Sequence, residues 1–479
     1  MEVPDPDHEC SLLPFLKELA ARIEKVEHEN AQLRKQVYGR RSERSKLPLP
    51  VAAEPATPEE SQATRRARAK ARLEAPVMTT EHRVPDAQRQ CTSCGGTELS
   101  PLGPGKRTSI WEYIPPKLIR HENVQEVLRC SCGGSVLTAP GAPKVVEKGQ
   151  YGASFLAHLC VAKCVDHLPL YRLEKDFERQ GHPVARSTMN ELLHRASELL
   201  KPVWTRLLDV ITQRDVVMAD ETRLRVLKDE AGKPKTGFVW TFGAADETGH
   251  DISYSFADSR SGDLPKRLLE GTSGVLLADG YSGYNGIEDV SSRRRAACYA
   301  HVRRYFFEAI KTAPVAQEAV DLIGQLYEVE RDAQKGELSP EGHLELRRKR
   351  AGPVRDTLKK WLDEQLPRHP PKSPLAVAIR YTLAQWDELG VFLDDSRVPL
   401  DNNASERALR RVALGRKNYL FVGNVAAGQS LAGLYSLVAT CESRGINPYE
   451  YLTDVLRRVQ DHPAKQLDEL LPGPWAAAR

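Results

Sequence analysis

No stretch of this sequence stays apolar over the roughly 18 residues that a membrane-crossing helix needs, which excludes an integral helical membrane protein. The first fifteen residues carry Asp5, Asp7, Glu9 and prolines instead of a basic start and an apolar run. No secretory signal is therefore expected, and the chain is expected to stay in the cytoplasm. Cysteine is sparse and odd in number, nine in 479 residues, which excludes a small secreted disulfide scaffold. Net charge is small as well, +4 from 69 Lys and Arg against 65 Asp and Glu.

That charge is unevenly placed. From Arg34 to Arg72 eleven Lys and Arg stand against four Glu, a local excess of +7. A basic segment beside a near-neutral body suits a polyanion such as nucleic acid, with a solvated tether as the bland alternative. A chain about three times the length of a typical domain predicts several cores in series.

Leu12, Leu16, Leu19, Ile23, Val26, Asn30, Leu33 and Val37 follow one another at alternating spacings of four and three, a heptad seam with Leu16, Ile23, Asn30 and Val37 at position a. A single Asn at a is satisfied by its own copy only in a parallel, in-register dimer. In that register Arg22 faces Glu27 and Glu29 faces Arg34 across the interface, both attractive. Residues 1–47 are expected to form a coiled-coil homodimer, the alternative being a helix packed on its own core. Residues 48–82, rich in Pro, Ala, Glu and Arg, read as a flexible basic tether.

Cys91-x-x-Cys94-Gly-Gly is followed, after 35 residues, by Cys130-x-Cys132-Gly-Gly. Two cysteine knuckles with trailing glycines supply the four thiolates of a tetrahedral zinc site, although the second knuckle has one intervening residue where two are usual. The reading is structural Zn²⁺ in a small zinc ribbon over residues 83–145, with a buried or redox-active thiol pair as the alternative. Residues 146–210 show three helical pieces, broken near Asp166-His167 and at Gln180 to Pro183. The last two pieces have a helix-turn-helix arrangement with Ser187 as cap, and Arg186, Ser187, Thr188 and Asn190 open a potential groove-reading helix. Three-helix packing without DNA contact fits equally.

An apolar strand from Asp215 ends in Asp220. Gly237 to Gly243 and Asp251 to Phe256 follow at hairpin distances, then a helix from Asp263 to Leu269 and a second apolar strand ending in Asp279. Three antiparallel strands, a helix and a returning strand are the core order of the RNase H-like fold. That order sets Asp220 beside Asp279. A further strand-like stretch, Ala296 to Ala300, ends at His301. Later, Asp401 and Asn402 cap a helix that carries Glu406 in its second turn, with Ala408, Leu409 and Val412 turned toward the sheet. Two strand Asp and one helix Glu are the oxygen ligands that two Mg²⁺ (or Mn²⁺) ions need. Glu221 adjoins Asp220 but points to the opposite strand face, and it is left out. The expectation is a multidomain α+β chain with an RNase H-like catalytic core over residues 211–430. A helical insertion interrupts that core at about 302–395, and a C-terminal helical segment follows at 431–479.

Seven stretches together carry a family resemblance: Tyr38 to Glu43 (YGRRSE), Val165 to Arg172 (VDHLPLYR), Ala219 to Thr222 (ADET), Ala278 to Tyr284 (ADGYSGY), Cys298 to Arg304 (CYAHVRR), Asp401 to Arg407 (DNNASER) and Gly415 to Asn418 (GRKN). The chain, which closes with Leu470-Leu-Pro472, resembles a bacterial DDE transposase of the insertion sequence 66 family over essentially its whole length. The resemblance implies that Asp220, Asp279 and Glu406 are the DDE triad, which cleaves element ends and joins the 3′-hydroxyl to target DNA. It implies double-stranded DNA as partner, with small companion proteins of the same element as candidate partners. Arg303, Arg304, Arg410, Arg411, Arg416 and Lys417 are candidate phosphate contacts, and Tyr281 and Tyr284 candidates for stacking on an unpaired base. The rivals are a non-catalytic dimeric zinc-ribbon DNA-binding regulator or transposase remnant, and an RNase H-like nuclease without strand transfer.

Overall fold

A computed structural model describes residues 118–129, 136–139, 145–146, 149–227, 233–246 and 249–479. The heptad seam, the tether and all four knuckle cysteines, Cys91, Cys94, Cys130 and Cys132, lie outside the described residues. Two short strands, β1 (Val127–Arg129) and β2 (Val136–Thr138), pair antiparallel on either side of the segment containing the second knuckle.

Three helices follow: α1 (Ala153–Cys164), α2 (Leu170–Arg179) and α3 (Arg186–Thr212). The breaks contain His167 and Gly181, both at positive φ, which the helix cannot accommodate. Ser187 does not cap α3. The capping position is Ala185, which supplies no side-chain bond. Glu174 of α2 takes that role: it accepts the Arg186 N–H at 3.2 Å and pairs with the Arg186 guanidinium at 2.8 Å, an anion at a helix N-terminus.

The central sheet comprises β3 (Val216–Val226), β4 (Lys235–Asp246), β5 (Gly249–Ala257), β6 (Ser273–Ala278), β7 (Ser292–Ala297) and β8 (Phe421–Val422), with α4 (Asp263–Leu269) between β5 and β6. The order is β5-β4-β3-β6-β7, with β8 beside the far end of β3. β3, β4 and β5 are antiparallel, whereas β3, β6 and β7 are parallel. β3 does not end at Asp220. It continues to Val226 because β4 pairs with it throughout, Val226 standing opposite Lys235, and Leu224 and Val226 alternate into the core. Its parallel partner β6 stops pairing at Met218–Leu277, so Asp220 lies just past that ladder.

Period-two alternation gives the sheet two covered faces. On β6, Leu276 and Ala278 enter one core with α1 to α3, while Val275 and Leu277 enter a second core. That second core belongs to a run of helices after β7: α5 (Tyr299–Ala309), α6 (Ala316–Lys335), α7 (Pro340–Leu346), α8 (Gly352–Gln365) and α9 (Pro374–Leu383). Arg347, 1% exposed, ties this run together by donating to both Glu330 carboxylate oxygens at 2.8 and 2.7 Å and to the Phe392 carbonyl at 2.7 Å.

The chain closes with α10 (Asn403–Tyr419), α11 (Val425–Ser443), α12 (Pro448–Arg458) and α13 (Pro472–Ala477). α11 covers the outer edge of β5. Thr440 Oγ1 accepts the Ile252 N–H at 3.0 Å and donates to its carbonyl at 2.9 Å, and Ser436 Oγ accepts the Tyr254 N–H at 2.7 Å. Helix hydroxyls thus satisfy an edge that otherwise invites pairing with another chain. Among the described residues no helix is long and apolar enough to cross a membrane.

Candidate active site

Asp279 directly follows β6, and Asp220 sits within β3 where that strand runs past its parallel neighbour, so both lie at the carboxyl end of the β3–β6 ladder. In open sheets this is where ligands are met. Glu406 comes from the first turn of α10 rather than its second. The start of that helix is stapled to the strands by a series of bonds. Asn402, fully buried, donates Nδ2–H to the Ala219 carbonyl at 2.6 Å, and its own N–H donates to Cys298 Sγ at 3.2 Å. The Tyr299 N–H donates to the Leu400 carbonyl at 2.9 Å, and Asp401 Oδ1 accepts the Asn403 N–H at 3.1 Å. At the other end of α10, Arg416 donates to Thr222 Oγ1 at 2.9 Å and to the Arg223 carbonyl at 2.8 Å. Helix α10 is therefore clamped at both ends onto β3, which also fills acceptors that no neighbouring strand uses.

His301 joins the acids. It lies in the first turn of α5, because β7 ends at Ala297 and the stretch through Ala300 is helical rather than extended. Its Nε2 is 3.6 Å from Glu406 Oε1 and 4.0 Å from Asp279 Oδ2. Its Nδ1 is buried without a partner. Burial lowers the imidazole pKa, with Arg304 adding to the effect, against the raising influence of Asp279 and Glu406. In the sequence His301 reads only as the end of a strand-like stretch, Ala296 to Ala300, with no signal for its place beside the acids.

Asp220 is the most perturbed acid. Burial, and then the charges of Glu221, Asp279 and Glu406, push its carboxyl up to about 7, although the Glu221 N–H donated to Oδ1 at 2.8 Å opposes the shift. Glu221, left out of the expected site, is engaged beside it. It accepts Arg260 Nε–H at 2.9 Å and the Tyr284 hydroxyl at 2.8 Å. Arg260 in turn stacks on Tyr281 at 3.7 Å and accepts the Tyr281 hydroxyl on its carbonyl at 2.6 Å, while the Tyr281 N–H donates to Asp279 Oδ1 at 3.0 Å. Glu221 thus anchors the loop that orients Asp279.

Among the described residues no group of three or more His, Cys, Asp or Glu is placed to hold a metal ion. The donor chemistry nevertheless fits a hard divalent cation: three carboxylates, with Asp220 raised by burial and then by the neighbouring acids, and among the described residues no lysine or arginine ion-paired to any of the three. Asp220, Asp279 and Glu406 are the residues that could hold it.

The candidate DNA contacts divide. Arg304, Arg410 and Lys417 are exposed, and Arg186 is exposed although paired with Glu174. Arg303 and Thr188 are half-buried. Arg416 spends its Nη1 on β3, and Arg411 is tied to the Cys164 carbonyl and to Glu442. Tyr284 is fully buried with its hydroxyl on Glu221, which removes it as a stacking platform, and Arg260 occupies a face of Tyr281.

Fold and site together define a mixed α/β protein with a carboxylate and histidine cluster at the strand ends. Comparison with known proteins gives the family. The description "Transposase IS66 family" matches residues 148–430, "IS66 C-terminal element" residues 436–473, and "zinc-finger binding domain of transposase IS66" residues 88–133, a span that contains all four knuckle cysteines. The chain belongs to the IS66 transposase family. Two relatives, the uncharacterized proteins y4jD and y4hP of Sinorhizobium fredii (strain NBRC 101917 / NGR234), are 35% and 32% identical to it. Each match covers 81% of this chain, and 78% and 74% of the respective relative.

Proposed function

We propose that this chain is a DDE-type DNA transposase built on an RNase H-like core, in which Asp220, Asp279 and Glu406 hold two Mg²⁺ or Mn²⁺ ions at the scissile phosphate. The observation that carries this reading is the convergence of two carboxylates just past the end of the parallel β3–β6 ladder with a third on a helix stapled to β3. Bound there, the ions would supply Lewis acidity to the phosphoryl oxygens and a more acidic attacking water. The protein's own part is placement. The Tyr281 N–H orients Asp279, the Glu221 N–H orients Asp220, and the Asn402 and Arg416 clamps fix Glu406. His301, beside Asp279 and Glu406, holds those two acids in register. Water cleaves the element end to leave a 3′-hydroxyl, which then displaces a phosphodiester of target DNA.

The Asp220 carboxyl, raised to about 7 by burial and then by the neighbouring acids, supports a working site over a regulator. The ribbon cysteines Cys91, Cys94, Cys130 and Cys132 would hold a structural zinc, and residues 1–47 would pair two chains. Arg186, Thr188, Arg303, Arg304, Arg410 and Lys417 supply phosphate contacts. The test is strand cleavage by the purified full chain, with Mg²⁺, of a labelled duplex carrying the terminal repeat that borders its coding element. Cleavage leaving a 3′-hydroxyl, abolished separately by Asp220→Ala, Asp279→Ala and Glu406→Ala with end binding retained, is expected. Undiminished cleavage by any one of the three would refute the assignment.

A further inference from the structure

Of the exposed aromatic residues described, Tyr171, Tyr305, Phe421 and Tyr449, one stands beside the acid cluster. Tyr305 lies four residues after His301 on α5, so the two share a helix face about one turn apart, about 6 Å along the axis. The adjoining face of α5, about a quarter turn round the helix through Val302, Phe306 and Ala309, is buried in the second core. Tyr305 packs against Tyr381 of α9, with ring centroids 4.4 Å apart and planes inclined by 35°. Tyr381 reaches the catalytic loop itself, because its hydroxyl accepts the Gly280 N–H at 3.2 Å, on the residue next to Asp279. A side chain at Gly280 would come within 2.7 Å of the Tyr381 ring, so glycine is what permits this approach. Tyr305 remains 36% exposed, with the exposed Arg304 beside it in sequence.

A tyrosine 36% exposed, backed by a second ring and one helical turn from His301, has no further ring or cation stacked on it among the described residues. We propose that the Tyr305–Tyr381 pair is a stacking shelf for one unpaired nucleobase, that of a nucleotide flanking the scissile phosphate. Two features favour a base over another occupant. The pair is bonded to the residue next to Asp279 through the Tyr381 hydroxyl, and an aromatic face accepts any base without reading its edge. The helical insertion thereby contributes to substrate placement and not only to covering the sheet. This inference rests on the strand-cleavage reading above.

The experiment uses the full chain, Mg²⁺ and the labelled terminal-repeat duplex under single-turnover conditions. An abasic residue is placed in turn at the nucleotides on either side of the scissile phosphate. Tyr305→Ala is expected to slow cleavage of the intact duplex by about tenfold or more, and Tyr305→Phe and Tyr305→Trp are expected to restore it. At one flanking position the abasic duplex should slow the wild type to a similar degree, and Tyr305→Ala should then add nothing. A Tyr305→Ala enzyme as fast as wild type would overturn the shelf. So would variant and abasic effects that multiply at every position, since a ring that merely supports the fold slows all substrates alike. No cleavage of any end by the wild type would refute the activity, and the shelf with it; wild-type cleavage indifferent to ring and base would refute the shelf alone.

Discussion

Replacing Asp220 by Asn should make the metal-free protein more stable while removing its activity. With the carboxyl held at about 7 in the folded chain and about 3.9 in an unfolded one, ionising it inside the fold costs about 4 kcal/mol. Because the folded value lies above the unfolded value, the penalty is absent below about pH 4. It grows as pH rises, and it is complete above about pH 7. At pH 5 it amounts to about 1.5 kcal/mol. Asn has nearly the same volume and retains an oxygen to accept the Glu221 N–H. Relaxation of the surrounding acids absorbs part of the cost, so a gain of about 2 kcal/mol at pH 8 is expected. Urea unfolding in EDTA at pH 5 and pH 8, for wild type and Asp220→Asn, measures it. Adding Mg²⁺ should then reverse the order, since an ion at 100 times its dissociation constant stabilises the wild type by about 2.7 kcal/mol and the variant by far less. A variant no more stable than wild type at pH 8, or a gap equal at the two pH values, would refute the argument that the buried charge is held for a cation.

Three further outcomes follow from the same geometry. Asn402→Ala strips the buried Ala219 carbonyl of its donor, so urea unfolding should show a loss of about 1–3 kcal/mol, and cleavage should fall more than binding because Glu406 is released. Elemental analysis of the full chain should find one zinc, lost together with the ribbon's fold when Cys91 or Cys132 is changed to Ser; a metal-free protein with native DNA affinity would contradict the zinc reading. A fragment of residues 1–47 should be a parallel dimer by light scattering and cysteine trapping, and Asn30→Leu should raise its melting temperature while relaxing its oligomeric state.

Much of the sheet and its helices was legible because apolar residues recur locally. The helix from Asp263 to Leu269 falls where its sequence placed it, and so do the breaks between the helices before β3. The ending of β3 at Asp220 was misread although its own pattern continues: Leu224 and Val226 alternate after the carboxylates, and a charged residue does not stop a strand whose partner keeps pairing. What stayed hidden was non-local. Asn402 reads as a helix cap, yet its amide serves a carbonyl 183 residues earlier in the chain. Arg416 reads as a surface charge, yet it bonds to Thr222 and Arg223. His301 reaches the acids only because a helix begins at Tyr299, and nothing in the preceding alanines announces it.

The most direct test of the central claim is whether Asp220, Asp279 and Glu406 share one metal site. With Fe²⁺ in place of Mg²⁺, ascorbate and peroxide generate radicals that cut the backbone nearest the bound ion. Fragment mapping on the full chain should show cuts grouped around Asp220, Asp279 and Glu406, competed away by excess Mg²⁺ and lost in Asp279→Asn. Cuts confined to other segments, or a pattern unchanged in that variant, would contradict the account.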